Sequence, residues 1–253
     1  MGEIKRIAVF TSGGDAPGMN AAVRAVVRTA TYNDLHVYGI IRGYQGMIDC
    51  DFKRMETRDV GNILHRGGTV LKTARSQDFR TKEGRKLAFE NLKANDIDAC
   101  VAIGGDGTFT GAQIFSKEHK IPFIGIPGTI DNDIYGTDYS IGFDTAVNTA
   151  IEAVDRIRDT ADSHNRLFFV EVMGRHAGFI GLNTAISSGA AAVMIPETET
   201  SIDQLIQKLQ KGAKRKKLFS LVIVAEGNQN GGAAEIAAKV KEKFDYYDTK
   251  VAI

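Results

Sequence analysis

The sequence predicts an α/β fold with mainly parallel sheets. Three observations predict it: short β-rich runs alternate with segments of helical period along the chain, the runs are nearly continuous in Val, Ile, Ala and Phe, and glycine-rich turns follow several of them. Uninterrupted apolar runs are expected of parallel strands covered by helices on both faces. In order they are IKRIAVF (4–10), HVYGII (36–41), ACVAIGG (99–105), PFIGIPG (122–128), RLFFVEVM (166–173), AAVMIPE (191–197), FSLVIVAEG (219–227) and KVAI (250–253). Between the fourth and fifth runs, Phe143, Val147, Ala150, Ile151, Val154, Ile157 and Ala161 recur every three or four residues with charges between them. That spacing predicts an amphipathic helix, expected to cross from one domain to the next. The long Gly/Asp-rich loop ahead of it places a boundary near residue 140. Two Rossmann-like three-layer domains are therefore expected, 1–140 and 141–253.

Composition narrows the function classes. Among 253 residues, 32 basic and 31 acidic side chains leave a net charge of +1, so no surface is expected to coat a polyanion and nucleic acid is not an expected partner. Any phosphate site must come from local clustering. The opening MGEIKRIAVF lacks the pattern of a secretory leader, and no stretch reaches the ~20 apolar residues of a membrane span; a cytoplasmic protein with no membrane partner is expected. Cys50 and Cys100 offer no disulfide framework and no CxxC spacing, and both are expected to be buried.

In open parallel sheets, ligands sit beyond the carboxyl ends of strands. The first run passes into TSGGDAPGMNAA, where Gly13, Gly14 and Gly18 let backbone approach a bulky anion ahead of a helix N-terminus. It is not a Walker motif, because GK[ST] is absent. The run at 99–105 continues as GGDGT, with Gly104, Gly105, Asp106, Gly107 and Thr108 in a row. Glycines clear space for phosphates, and an aspartate there can hold a hard cation such as Mg²⁺, or merely cap the helix. The next run ends in PGTIDNDIYGTD, where Asp131, Asp133 and Asp138 gather with no lysine or arginine among them. If TIDND is extended, Thr129, Asp131 and Asp133 share one side, the two carboxylates' Cα atoms roughly 7 Å apart, and Asn132 faces away. One carboxylate can then take a proton while its neighbour orients it or organises Mg²⁺. Positive charge to oppose them comes from Arg66, Lys72, Arg75, Arg166 and Arg175, the last just after an apolar strand and a glycine. His36, His65, His119, His164 and His176 show no ligand or triad spacing.

Together TSGGDAPGMNAAVR, RGGT, TAR, GGDGT, PGTIDND, GTDYSIGFDTA, RDTADSH, EVMGRHAG and VAEG closely resemble the ATP-dependent 6-phosphofructokinase family, collinearly over essentially the whole chain. The resemblance implies phosphoryl transfer from MgATP to the 1-hydroxyl of fructose 6-phosphate, in a homotetramer of two-domain subunits. It implies that Asp131 accepts the proton of the attacking hydroxyl, with Thr129 and Asp133 around the sugar and metal. Asp106 matches the Mg²⁺ aspartate, and Gly14, Arg75, Ser76, Gly105, Gly107 and Thr108 match ATP-contacting positions. Met173, Gly174, Arg175 and Glu226 match the sugar-phosphate site, with Arg175 also steadying the transferring group. Arg166 and Lys250 match cations that reach that site from a neighbouring subunit, although Lys250 stands where arginine is usual. Pyrophosphate-using relatives typically carry Asp at Gly107 and Lys at Gly128, so the two glycines favour ATP. Arg24, Arg28, Arg158, Arg215 and Lys217 match a nucleotide effector site between subunits. Ala191 and Thr57 depart from it, which implies weak or absent activation by ADP. The family segment LGHxQRGG is expected after KVAI, so a fragment with poor turnover alone is expected. The alternatives are a pyrophosphate-dependent or other sugar-phosphate kinase, and an inactive assembly subunit.

Overall fold

The computed structural model describes residues 4–162, 166–215, 219–244 and 246–252. The chain forms two compact units, Met1–Thr129 with Asp133–Gly142, and Ile130–Asn132 with Phe143–Ile253.

The first unit runs β1 (Arg6–Thr11), α1 (Met19–Tyr32), β2 (His36–Ile40), α2 (Gly43–Ile48), β3 (Phe52–Met55), α3 (Lys82–Ala94), β4 (Ala99–Gly104), α4 (Asp106–His119), β5 (Phe123–Thr129) and β6 (Ile141–Gly142). Its sheet has the order β3-β2-β1-β4-β5-β6. All neighbours are parallel except β2 and β3, which pair antiparallel with Val37 opposite Met55. β1 is buried on both faces because Ala8 and Phe10 point into a core with Met47, Leu92 and Phe115, while Val9 is covered on the other face. α3 begins where Thr81 Oγ1 accepts from Gly84 N (3.0 Å) and donates to Asp78 O (2.7 Å).

The second unit runs α5 (Phe143–Asp162), β7 (Arg166–Val172), α6 (Phe179–Ser188), β8 (Ala192–Met194), α7 (Ile202–Lys214), β9 (Ser220–Ala225), α8 (Ala233–Lys243) and β10 (Asp248–Ala252). Its four strands are all parallel in the order β10-β7-β9-β8. Alternation along β7 and β9 builds two cores. Leu167, Phe169, Val222 and Val224 join Leu205, Ile236 and Val240 from α7 and α8. Phe168, Val170, Leu221 and Ile223 join Val154 and Ile180 from α5 and α6. The result is helix, sheet and helix in three layers. α7 starts at a reciprocal capping box between Ser201 and Gln204.

Three expectations are corrected, and two strands escaped the sequence reading. The helix from Phe143 lies wholly in the second unit; the chain first changes units at Ile130–Asn132 and again at Phe143. TIDND is not extended: β5 stops at Thr129, Ile130 and Asp131 form a bend, and Asn132 takes the left-handed conformation at φ 54°. Cys50 is exposed and Cys100 buried; Cys50 sits at φ 57° in the tight turn between α2 and β3, which leaves its side chain in solvent while Ile48 and Phe52 on either side pack against the core. β3 and β6 lack apolar runs: β3 is an edge strand carrying Lys53 and Arg54 outward, and β6 has two residues.

Candidate active site

In the first unit the carboxyl ends of β1, β4 and β5 are stitched together by hydrogen bonds that leave glycine backbone open. Ser12 N donates to Ile103 O (3.0 Å), and Thr108 Oγ1 donates back to Ser12 O (3.1 Å). Gly104 must be glycine, because a Cβ there would collide with Ser12 O and Thr108 Oγ1. By contrast a Cβ at Gly14 or Gly107 would meet nothing within 4 Å, so both backbones face open space. Gly105 caps α4 with no side-chain hydrogen bond, and Asp106, exposed, is the first residue of that helix. Thr129 lies alongside, its Cβ 3.6 Å from where a Cβ on Gly105 would stand, and Ser140 Oγ donates to Thr129 O (2.8 Å).

The loop carrying Arg66, Lys72, Arg75 and Ser76 is fixed to this cradle by residues that sequence reading passed over. Asn20, almost fully buried in the first turn of α1, donates through Nδ2 to Arg66 O (2.9 Å) and accepts from Val70 N through Oδ1 (2.8 Å). Thr11 Oγ1 donates to Lys72 O (3.0 Å) and lies 2.9 Å from Thr69 Oγ1. A signal for Asn20 existed: with Val23 and Val27 it completes a stripe on the apolar face of α1, where a polar residue needs partners. Downstream, Ser76 Oγ accepts from Phe79 N (3.2 Å), opening a single 3₁₀ turn, Asp78–Arg80. Arg85 closes that turn. Its Nη1 donates to Phe79 O (3.0 Å) and Arg80 O (2.8 Å), while Nε and Nη2 grip Glu118 at 2.6 and 2.8 Å. The Arg85 guanidinium holds the Glu118 carboxyl below its usual range, and the carboxylate in turn raises the Arg85 value. Tyr44 stacks on Phe79 with centroids 4.0 Å apart and donates to Thr108 O (2.6 Å). Burial pushes its phenol well above the ordinary value, so the hydroxyl stays a donor. Arg75 itself is exposed.

The bend after β5 separates the loop aspartates. Asp131 is buried, 6 % exposed, and belongs to the second unit; Asp133 is exposed and belongs to the first.

In the second unit the structure gathers Met173, Gly174, Arg175 and Glu226 beyond the carboxyl ends of β7 and β9. Glu226 N donates to Val172 O (3.0 Å), and Glu226 Oε1 accepts from Arg175 N (2.8 Å). Gly174 sits at φ 143° and Arg175 at φ 53°, a conformation uncommon for a residue with a side chain and held here by the Glu226 carboxylate. Met173 and Arg175 are exposed. Arg166 and Lys250 are not in this group. Arg166 opens β7, six residues before Val172, so it stands ~20 Å along the strand from its carboxyl end. Lys250 pairs with Phe168, near the same end as Arg166.

The candidate effector residues fall in both units. Arg24, half-buried, and Arg28, exposed, lie one turn apart on α1, and Arg24 Nε is buried with no hydrogen-bond partner. Arg158 on α5 approaches Asp155 at 3.8 Å. Arg215 follows α7 and lines a cavity of about 420 Å³ with Ala191, Lys208, Lys211, Gly212 and Ser220. Thr57 opens a 3₁₀ turn, and Lys217 lies outside the described residues.

Residues 6–253 match the model of the family described as phosphofructokinase. The chain belongs to the phosphofructokinase family. It is 56 % identical over 253 residues to ATP-dependent 6-phosphofructokinase 2 of Bacteroides thetaiotaomicron, covering 100 % of this chain and 78 % of that protein. It is 57 % identical over 239 residues to ATP-dependent 6-phosphofructokinase 1 of Thermus thermophilus, covering 94 % of this chain and 74 % of the relative. Among solved structures, phosphofructokinase from Saccharomyces cerevisiae superposes with a TM-score of 0.91 at 40 % identity, over 98 % of this chain and 38 % of that one. The phosphofructokinase fold accounts for both mainly parallel sheets. Among the described residues no helix is long and apolar enough to cross a membrane.

Proposed function

We propose that this phosphofructokinase transfers the γ-phosphoryl group of MgATP to the 1-hydroxyl of fructose 6-phosphate, giving fructose 1,6-bisphosphate and ADP in glycolysis. The observation that carries this reading is the open backbone of Gly14 and Gly107 beside the Asp106 carboxylate. Peptide N–H groups there can meet phosphate oxygens at close range, next to the partial positive charge of the α4 N-terminus. ATP contacts are assigned to Gly14, Arg75, Ser76, Gly105, Gly107 and Thr108. The Thr108 hydroxyl is engaged with Ser12 O, so its contribution is to hold the cradle in shape.

Asp106 is the metal residue of this reading. Among the described residues no three His, Cys, Asp or Glu side chains gather as ligands. A single exposed carboxylate fits Mg²⁺, which keeps several waters and takes one or two carboxylates plus substrate phosphates. When bound, the ion would neutralise charge on the transferring phosphoryl group.

The sugar phosphate is assigned to Met173, Gly174, Arg175 and Glu226. Asp131 takes the proton of the 1-hydroxyl as its oxygen bonds to phosphorus and the bond to the ADP oxygen breaks; Thr129 and Asp133 support the sugar and metal. The arginine at 175 offers a planar fork to the phosphoryl oxygens. A backbone constrained on both sides by Glu226 fixes where that fork starts, and phosphoryl transfer depends mainly on such positioning and charge.

Arg166 and Lys250 are assigned to the sugar phosphate of a neighbouring subunit. Their distance along β7 from Arg175 supports that assignment, since one chain does not hold both groups together. A homotetramer follows from the same reading. It is further supported by Phe179, Leu182 and Ile186, which line one exposed stripe of α6 at helical spacing. A cytoplasmic site of action belongs to the reading as well. The cavity at Ala191 and Arg215 is assigned to an effector bound between subunits, with Arg24, Arg28, Arg158 and Lys217 as its further basic residues. With alanine at 191 no carboxylate at that position helps hold a nucleotide's Mg²⁺, and weak or no activation by ADP follows.

The test is a coupled assay with ATP or pyrophosphate as donor. ADP formation dependent on fructose 6-phosphate and Mg²⁺, with no turnover of pyrophosphate, is expected; turnover with pyrophosphate alone would overturn the donor assignment.

A further inference from the structure

Three charged side chains share one face of the second sheet at the start of β7. Parallel pairing sets Asp248 opposite Arg166, and Lys250 follows Asp248 by two residues on β10, so its side chain leaves the same face. Asp248 Oδ2 lies 3.5 Å from Arg166 Nε and 3.2 Å from Lys250 Nζ. One carboxylate oxygen therefore bridges the two cations assigned above to sugar phosphate. Lys250 is 47 % exposed and Arg166 24 %, with its Nε buried, so an anion arriving from solvent meets Lys250 directly and Arg166 through the outer part of its guanidinium. Lys250, and then Arg166, hold the Asp248 carboxyl below its usual range, which favours its ionised form.

A phosphate monoester presents three acceptor oxygens and a charge of about −1.5 to −2 at neutral pH, against one shared oxygen and a single charge from the aspartate. It can therefore engage both cations at once and leave the carboxylate to water. We propose that Asp248 is a positioning residue: it holds Arg166 and Lys250 extended in the empty enzyme, yields them to the phosphate of the sugar phosphate, and thereby sets the affinity for that group. The inference rests on the assignment of Arg166 and Lys250 to sugar phosphate. It also explains selectivity, because a singly charged carboxylate ligand gains nothing over the aspartate already in place.

The test compares Asp248→Asn, Asp248→Ser, Asp248→Glu, Arg166→Ala and the double variant Arg166→Ala with Asp248→Asn. Removing the internal anion should lower KM for fructose 6-phosphate about two- to fivefold, the range of an exposed ion pair, with the shift falling on the sugar phosphate and not on ATP. Asp248→Glu should restore the wild-type KM. Arg166→Ala should raise KM, and in that background Asp248→Asn should gain less. A merely structural pair would instead lower the melting temperature and leave KM unchanged. An unchanged or raised KM in Asp248→Asn and Asp248→Ser, with Arg166→Ala still raising it, overturns the role of Asp248. A KM indifferent to Arg166→Ala overturns the assignment beneath it.

Discussion

Gly107 is the position where one added side chain tests the proposed nucleotide cradle most directly. Its missing Cβ faces open space beside Asp106, so Gly107→Asp should fold normally yet set a second carboxylate against the phosphates. Like charges so placed cost several kcal/mol, and kcat/KM for ATP should fall by ~10²-fold or more with the melting temperature unchanged. Wild-type ATP kinetics in this variant would refute the assignment of the cradle to nucleotide. Gly128 is a poorer probe of the same idea. A Cβ there would lie 3.1 Å from Ile103 Cγ2 and 3.5 Å from Met19 Cε, so Gly128→Lys would report core packing as much as donor choice.

At the scale of elements, Arg85 links α3, α4 and the 3₁₀ turn at 78–80, and through that turn the loop bearing Arg75 and Ser76. Its side chain is 9 % exposed and Glu118 is 29 % exposed, so Arg85→Ala strands a partly buried carboxylate and two carbonyls. The loss should be ~3 kcal/mol at pH 7 by urea unfolding. The pH dependence has a definite sign. Because the folded-state value of Glu118 is depressed, its share of stability is present above the unfolded carboxylate value of ~4.3 and is lost as pH falls through the lower folded value. The gap between wild type and Arg85→Ala should therefore narrow below pH 4 without closing, since the carbonyl bonds are lost at every pH; a gap that widened toward acid would contradict the pairing. Elements of this kind differ in how far sequence reveals them. Leu221–Ala225 of β9 and Leu167–Val170 of β7 announce themselves because strands covered on both faces must be apolar throughout. β3, with Lys53 and Arg54 on a solvent edge, carries no such constraint. The glycines at the ends of β1 and β4 stood out in sequence because they cluster directly after apolar runs, and the structure leaves Gly14 and Gly107 facing open space. The Arg85–Glu118 clamp did not stand out, since nothing in the local pattern marks which two opposite charges, 33 residues apart, will meet. The alternation of TIDND misled because periodicity assumes one backbone conformation, and the left-handed Asn132 breaks it.

For the whole molecule, β7 separates Arg166 from the Met173–Arg175 cluster by the length of a strand, so the proposed assignment of both to sugar phosphate requires a second copy. The exposed α6 stripe gives such a copy somewhere apolar to dock. Ile186 is its most exposed member at 72 %, and Ile186→Asp should shift the species seen in sedimentation velocity from tetramer to smaller forms and raise KM for fructose 6-phosphate together. An unchanged sedimentation coefficient would remove α6 from the assembly. The central claim concerns Asp131, a nearly buried carboxylate at the bend where three residues of one unit interrupt the other. Asn matches its shape and removes only its ability to take a proton. The decisive measurement is kcat of Asp131→Asn at saturating MgATP and fructose 6-phosphate. A fall of ~10²–10⁴-fold with both KM values within a few-fold of wild type is expected, and a kcat within a factor of two or three of wild type would show that position 131 does not accept the proton.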